Sequence, residues 1–84
     1  MYFTYVLLSL KDNRFYTGFS NNLKQRFEQH NKGLVKSTED RRPIELIYYE
    51  ACLDQRDAIK REKYLKTYQG KIFLRKRLKS YLTG

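Results

Sequence analysis

The chain has 84 residues, enough for one domain with one modest core, because a domain this small buries only about 60–65% of its unfolded surface. Its 18 lysines and arginines against 9 acidic residues leave a formal net charge of +9, which makes a polyanion the first partner to consider. The single Cys52 excludes an internal disulfide, no apolar run approaches the ~20 residues of a bilayer span, and the N-terminus lacks the charged-then-apolar pattern of a secretory leader. A cytoplasmic protein with no membrane partner is expected, with Cys52 as a small buried hydrophobe.

Tyr2 to Leu10 is rich in aromatic and β-branched residues, Lys11-Asp12-Asn13-Arg14 is polar, and Phe15 to Gly18 is aromatic again. This pattern predicts a β-hairpin turning at Asp12-Asn13. Side chains alternate across a strand, so a connection with an even number of residues places Tyr5 and Tyr16 on the same face. Ser20 or Asn21 is expected to cap a helix running to about Asn31, with Gly33 ending it in a left-handed conformation. Leu23, Phe27 and His30 form one stripe of that helix, and Arg26 flanks it one turn before His30.

Residues 33–43 read as a polar, basic loop, and Ile44 to Glu50 as a third strand. Asp54 begins a second helix predicted to reach about Gln69, with Gly70 ending it before a basic third helix from Lys71 to Leu82. Helical steps of 100° put Ala58, Glu62, Leu65 and Gln69 at the centre of the second helix's inward face, with Ile59 beside them. No repeat, low-complexity tract or linker interrupts the chain. The expected architecture is a single α+β domain over residues 1–84: a three-stranded antiparallel sheet with flanking helices, in the order β-β-α-β-α-α.

After Glu62 the chain holds Lys63, Lys66, Lys71, Arg75, Lys76, Arg77 and Lys79 and no acidic residue. Such a block is either a solvated helix face or a nucleic-acid contact. Glu62 falls where a core residue belongs, and an inward carboxylate needs compensation. A salt bridge to Arg26 or a nearby lysine would supply it, as would a metal or a catalytic role. Taken singly, His30 reads as a packed, hydrogen-bonded histidine, Tyr5 and Tyr16 as ordinary strand residues, and Gly18 as a tight strand-to-helix turn.

Together these residues resemble the GIY-YIG nuclease family. Phe3-Thr4-Tyr5 stands where its first triplet would be, keeping only the tyrosine, and Tyr16-Thr17-Gly18 stands at the second, with threonine between Tyr and Gly. Arg26 and His30 take the helix positions, and Glu62 in "AIKREKYLK" takes the acidic one; "HNKG" and "RRPIELIYYE" also look like the small standalone members. The resemblance implies a metal-dependent endonuclease that hydrolyses DNA phosphodiester bonds in repair or processing. Tyr5, Tyr16, Arg26, His30 and Glu62 would then surround one shallow basic concavity.

In that reading Arg26 binds non-bridging oxygens, and Glu62 holds one Mg²⁺ or Mn²⁺ that acts as a Lewis acid at the leaving oxygen. A phenol has an ordinary pKa of about 10, so a tyrosine base needs positive charge or a second base beside it. The resemblance gives water activation to Tyr5 or Tyr16, and Tyr5 assisted by His30 is preferred. Arg26, Lys63, Lys66, Arg75, Lys76, Arg77 and Lys79 are the expected nucleic-acid contacts. DNA is implied by the resemblance alone, and the chemistry leaves RNA open. Two other readings stand: a non-catalytic nucleic-acid-binding module with the same fold, and a structural protein whose cationic tail binds an acidic partner.

Overall fold

In a computed structural model, which describes residues 1–84, β1 (Tyr2–Ser9) is the middle strand of an antiparallel sheet. It is flanked by β2 (Phe15–Ser20) and β3 (Ile44–Cys52), giving the order β2-β1-β3. Every residue from Thr4 to Ser9 is buried. A strand with neighbours on both edges and helices on both faces has no solvent side, and "TYVLLS" accordingly lacks any charge.

The hairpin has the predicted turn region. Ser9 Oγ accepts from the amides of Lys11 and Asp12, Asp12 Oδ1 accepts from the Arg14 amide, and Asn13 takes the left-handed conformation with φ 58°. Asparagine tolerates that conformation better than most residues. The register pairs Tyr5 with Gly18 and Leu7 with Tyr16, which puts both tyrosines on one face as alternation requires.

On that face α1 (Leu23–Asn31) lays Leu23 and Phe27 against Tyr5, Leu7 and Ile44. Its cap is Asn22, whose side chain accepts from the Gln25 amide; the expected capping by Ser20 or Asn21 is not what forms. Ser20 Oγ instead folds the approach, accepting from the Asn22 amide. Gly33 does adopt the left-handed conformation, with φ 76°. The opposite face is covered by α2 (Gln55–Leu65) and α3 (Tyr68–Arg77), with a short α4 (Lys79–Thr83) after them. Val6, Leu65 and Leu74 form its core, and Phe15, Ile47, Tyr48 and Phe73 pack around them.

Ile47 and Tyr48 are neighbours in sequence yet pack on the same face. A register shift between Val6 and Leu7 allows this, since Val6 pairs with Tyr48 and Leu7 with Leu46, leaving Ile47 as the extra residue of a bulge. Thr4 Oγ1 donates to the Ala58 carbonyl at 2.8 Å and ties α2 to the central strand. Arg61 bridges to Glu50 at 2.9 Å with its guanidinium over the Phe73 ring, which joins β3, α2 and α3. Cys52 ends β3 half-buried, its Sγ donating to the Asp54 carbonyl.

The α+β class and the order β-β-α-β-α-α hold, but the second helix ends at Leu65 and not near Gln69. Gly70 does not end it: Gly70 lies buried inside the first turn of α3. Thr67 caps α3, donating to the Tyr64 carbonyl at 2.6 Å and accepting from the Gly70 amide at 3.1 Å. A Cβ at Gly70 would strike the Tyr64 carbonyl and the Leu65 backbone, so glycine serves here for close approach of two helices and not for a left-handed stop. Gln69 moves with α3 and is exposed, contrary to its predicted inward place. The segment 33–43 is also more than a polar loop, since Val35 and Thr38 are buried and Glu39–Arg41 forms a 3-10 turn. No helix is long and apolar enough to cross a membrane.

The helix corner sets a measurable cost. Gly70→Ala should destabilise by about 1–3 kcal/mol, the scale of overpacking against neighbours that cannot move aside, and lower the melting temperature by at least about 4 °C. Thr67→Ala should cost about 1 kcal/mol through loss of the cap. Thermal melts of the two variants check this, and a Gly70→Ala protein as stable as the wild type would contradict the close approach.

Candidate functional site

The hairpin register brings Tyr5 and Tyr16 to the same face, and α1 lowers His30 between them. His30 is fully buried, meeting the Tyr5 ring edge-to-face at 5.6 Å and the Tyr16 ring at 5.2 Å. Both of its ring nitrogens are engaged: Nε2 lies 2.8 Å from Tyr5 Oη and Nδ1 lies 2.7 Å from Thr38 Oγ1. Thr38 Oγ1 also faces the Val35 carbonyl at 3.4 Å; when it donates there it receives the proton on Nδ1, and Nε2 keeps a lone pair for the Tyr5 hydroxyl.

Thr38 is therefore a member of the candidate site that the sequence pattern does not reveal. It lies in a segment with no periodicity, and only a β-branched hydroxyl residue downstream of the histidine helix hints at it.

Gly18 faces the same hydroxyl end of the Tyr5 side chain, and a Cβ there would collide with Oη and Cζ. The glycine of the second triplet thus leaves room for the phenol, beyond serving a turn. Arg26 places its guanidinium beside the Tyr5 hydroxyl and donates to Gln29 Oε1 at 3.2 Å. Burial pushes the Tyr5 phenol above its ordinary value of 10; Arg26 works against that shift, while negative charge on Tyr16 or Glu62 adds to it. Burial, and then the Arg26 charge, lower the His30 imidazole from 6.5 to about 4.

Glu62 approaches from α2 on the far side of the sheet and is half-buried, its side chain 20% exposed. Its partner is Lys66, one turn on, at 3.0 Å; of the two partners considered, lysine and not Arg26 is the one that forms. No group of three or more His, Cys, Asp or Glu side chains converges anywhere in the molecule. A metal here would rest on Glu62 and water, a donor set that fits Mg²⁺, which keeps most of its waters.

The five residues do not open together on one concavity. Tyr5 is 1% exposed and His30 0%, because α1 and the Thr38 segment close over them. The depression beside them, about 390 Å³ between Phe19, Asn21 and Gln55, is lined by Arg26 alone among the five. Arg26 is the link between the buried pair and the surface. The basic residues divide as well: Lys66 is occupied by Glu62, Lys63, Lys76 and Arg77 are exposed, and Arg75 and Lys79 line a separate cleft away from Tyr5 and Tyr16.

The lowered imidazole has a consequence for stability. Between pH 6.5 and 4 the unfolded chain takes up a proton that folded His30 refuses, so stability falls as pH falls through that window. From pH 6.5 to 5 the loss should be about 1.5 kcal/mol. Asp12 and Asp54, held below the ordinary carboxylate value by Arg41 and Arg56, lose their contribution only at lower pH. Urea unfolding at the two pH values should show this slope in the wild type and a shallower one in His30→Gln; equal slopes would mean that His30 is not the group responsible.

The sequence model of the GIY-YIG catalytic domain matches residues 1–77. A UPF0213 protein of Pediococcus pentosaceus is 44% identical over 78 residues, covering 88% of this chain and 82% of its own. UPF0213 protein CPE1444 of Clostridium perfringens is 42% identical over 67 residues, covering 79% of this chain and 71% of its own. Among solved structures, the solution NMR structure of the UPF0213 protein BH0048 from Bacillus halodurans is similar with a TM-score of 0.54 and 28% identity, covering 88% of this chain and 82% of that one. The match covers nearly the whole length: the chain belongs to the GIY-YIG family.

Proposed function

We propose that this protein is a metal-dependent endonuclease that hydrolyses DNA phosphodiester bonds. The observation that carries the reading is the 2.8 Å approach of Tyr5 Oη to His30 Nε2, with the Arg26 guanidinium beside the same hydroxyl. A buried tyrosine can accept a proton from water only if its own proton has somewhere to go. His30 provides that place. As water attacks phosphorus, its proton passes to Tyr5 Oη while the Tyr5 proton moves to Nε2, and Thr38 holds the imidazole in the receptive tautomer.

Arg26 has two tasks in this scheme. Its charge favours the tyrosinate that forms in passing, and its half-exposed guanidinium binds the non-bridging oxygens of a phosphodiester docked at the depression beside β2. Tyr16 packs on His30 and accepts from Ser37 Oγ at 3.3 Å, which leaves it a positioning part beside the Tyr5–His30 pair. Glu62 would hold Mg²⁺ or Mn²⁺, with Lys66 swinging aside. When bound, the ion supplies Lewis acidity toward the leaving oxygen. DNA is preferred to RNA on family membership.

A second reading, a binding module without cleavage, draws support from the Lys66–Glu62 pair, which already neutralises the carboxylate, and from the near-complete burial of Tyr5. Glu62→Gln separates the two. It should lower Mg²⁺-dependent cleavage by at least about two orders of magnitude, the scale of losing one electrostatic contributor, while DNA binding in EDTA holds or tightens slightly and the melting temperature stays close to wild type. Cleavage that survives in a folded Glu62→Gln protein would remove the metal role. A wild type inert on single-stranded, duplex, flapped and branched DNA with either metal would favour the binding module.

A further inference from the structure

A cleft of about 1170 Å³ lies away from Tyr5 and Tyr16. Its floor includes Leu8 and Phe15, which pair with each other one step beyond Leu7 and Tyr16 and therefore point to the opposite face of the sheet. The hairpin turn forms one wall and the ends of α3 and α4 form the other. Into it come Arg14 from the turn, Arg41 from the 3-10 turn, and Lys71, Arg75 and Lys79 from the C-terminal helices. Arg41 is paired with Asp12 at 3.1 Å, but Arg14, Lys71, Arg75 and Lys79 make no ion pair.

Four cations without an ion-pair partner line one depression, and their summed field favours an anion there even though water and salt screen each pair. Tyr81 lies among them, 46% exposed, with its hydroxyl beside the Glu45 carboxylate.

We propose that this cleft is a second nucleic-acid site that takes a single-stranded phosphodiester segment, its phosphates on Arg14, Lys71, Arg75 and Lys79 and a base stacked on Tyr81. A cationic groove alone serves any polyanion, but an exposed ring inside it can stack only on a base that is not already paired and stacked in a duplex. The site lies on the sheet face opposite Tyr5 and does not depend on the nuclease reading. A protein built this way holds one strand behind the sheet while another segment lies at Arg26.

Binding measured in EDTA tests the site whether or not the protein cleaves. A fluorescent oligothymidine and a duplex of equal length are titrated across a salt series against the wild type and variants that melt with it. Neutralising Arg14, Arg75 and Lys79 to glutamine should weaken the single strand at least tenfold and flatten its log–log salt slope by about 2, close to 0.7 for each phosphate that no longer meets a cation. Removing the same charge at Lys32, Lys36 and Lys60, all exposed outside the cleft, should do much less.

Tyr81→Ala should weaken the single strand about 5- to 150-fold and the duplex hardly at all, and Tyr81→Phe, which keeps the ring, should bind like the wild type. Equal losses from the two triple variants would reduce the effect to net charge and overturn the site. Equal losses for strand and duplex on Tyr81→Ala, or no rescue by Tyr81→Phe, would overturn the stacked single strand.

Discussion

A neutral imidazole with a partner on each nitrogen is the constraint around which this domain is arranged. His30 has no access to water, so both of its nitrogens must be satisfied from within, and the two groups that do so come from the central strand and from the connection between α1 and β3. That connection cannot be an idle loop. It must carry a hydroxyl to Nδ1, bury Val35 beside it, and return to the sheet, where Ser9 Oγ donates to the Arg41 carbonyl and the Leu10 amide to that of Pro43.

The same constraint divides the molecule electrically. The face carrying Tyr5 and His30 keeps both groups dry and uncharged, with Arg26 as the nearest cation, whereas unpaired cations of α3 and α4 collect on the other face near the hairpin turn. Burial keeps His30 in the form that accepts a proton across the whole neutral range, while making it a weak base. Such an acceptor suits a transfer in which the proton moves on as the water attacks, and not one that stores a charged tyrosinate beforehand.

What could be read from the sequence followed physical regularity. Alternation along β1 and β2 put Tyr5 and Tyr16 on one face, and the helical period set Arg26, His30 and Glu62 at their places; the lysine partner of Glu62 was within one turn. Thr38 was not legible, because a residue buried inside a polar, aperiodic stretch is found only once the chain has folded around it. Gly70 was misread because a glycine after a helix serves equally as a left-handed stop and as a point of close approach, and the difference lies in what packs against it. Arg14 and Arg41 are far from the basic block in sequence, so their meeting with Arg75 is a property of the topology.

The bulge in β3 bears on how relatives of different length can be aligned. Leu46 and Tyr49 serve one face and Tyr48 the other only because Ile47 is an uncounted residue between them. Loss of Ile47 would restore plain alternation and leave the flanking side chains facing as they do now, whereas loss of any one residue between Tyr48 and Cys52 would invert everything on one side of the gap. A family member one residue shorter in this strand should therefore carry its deletion at the bulge, and an alignment that opens the gap elsewhere in β3 would exchange the core of one face for that of the other.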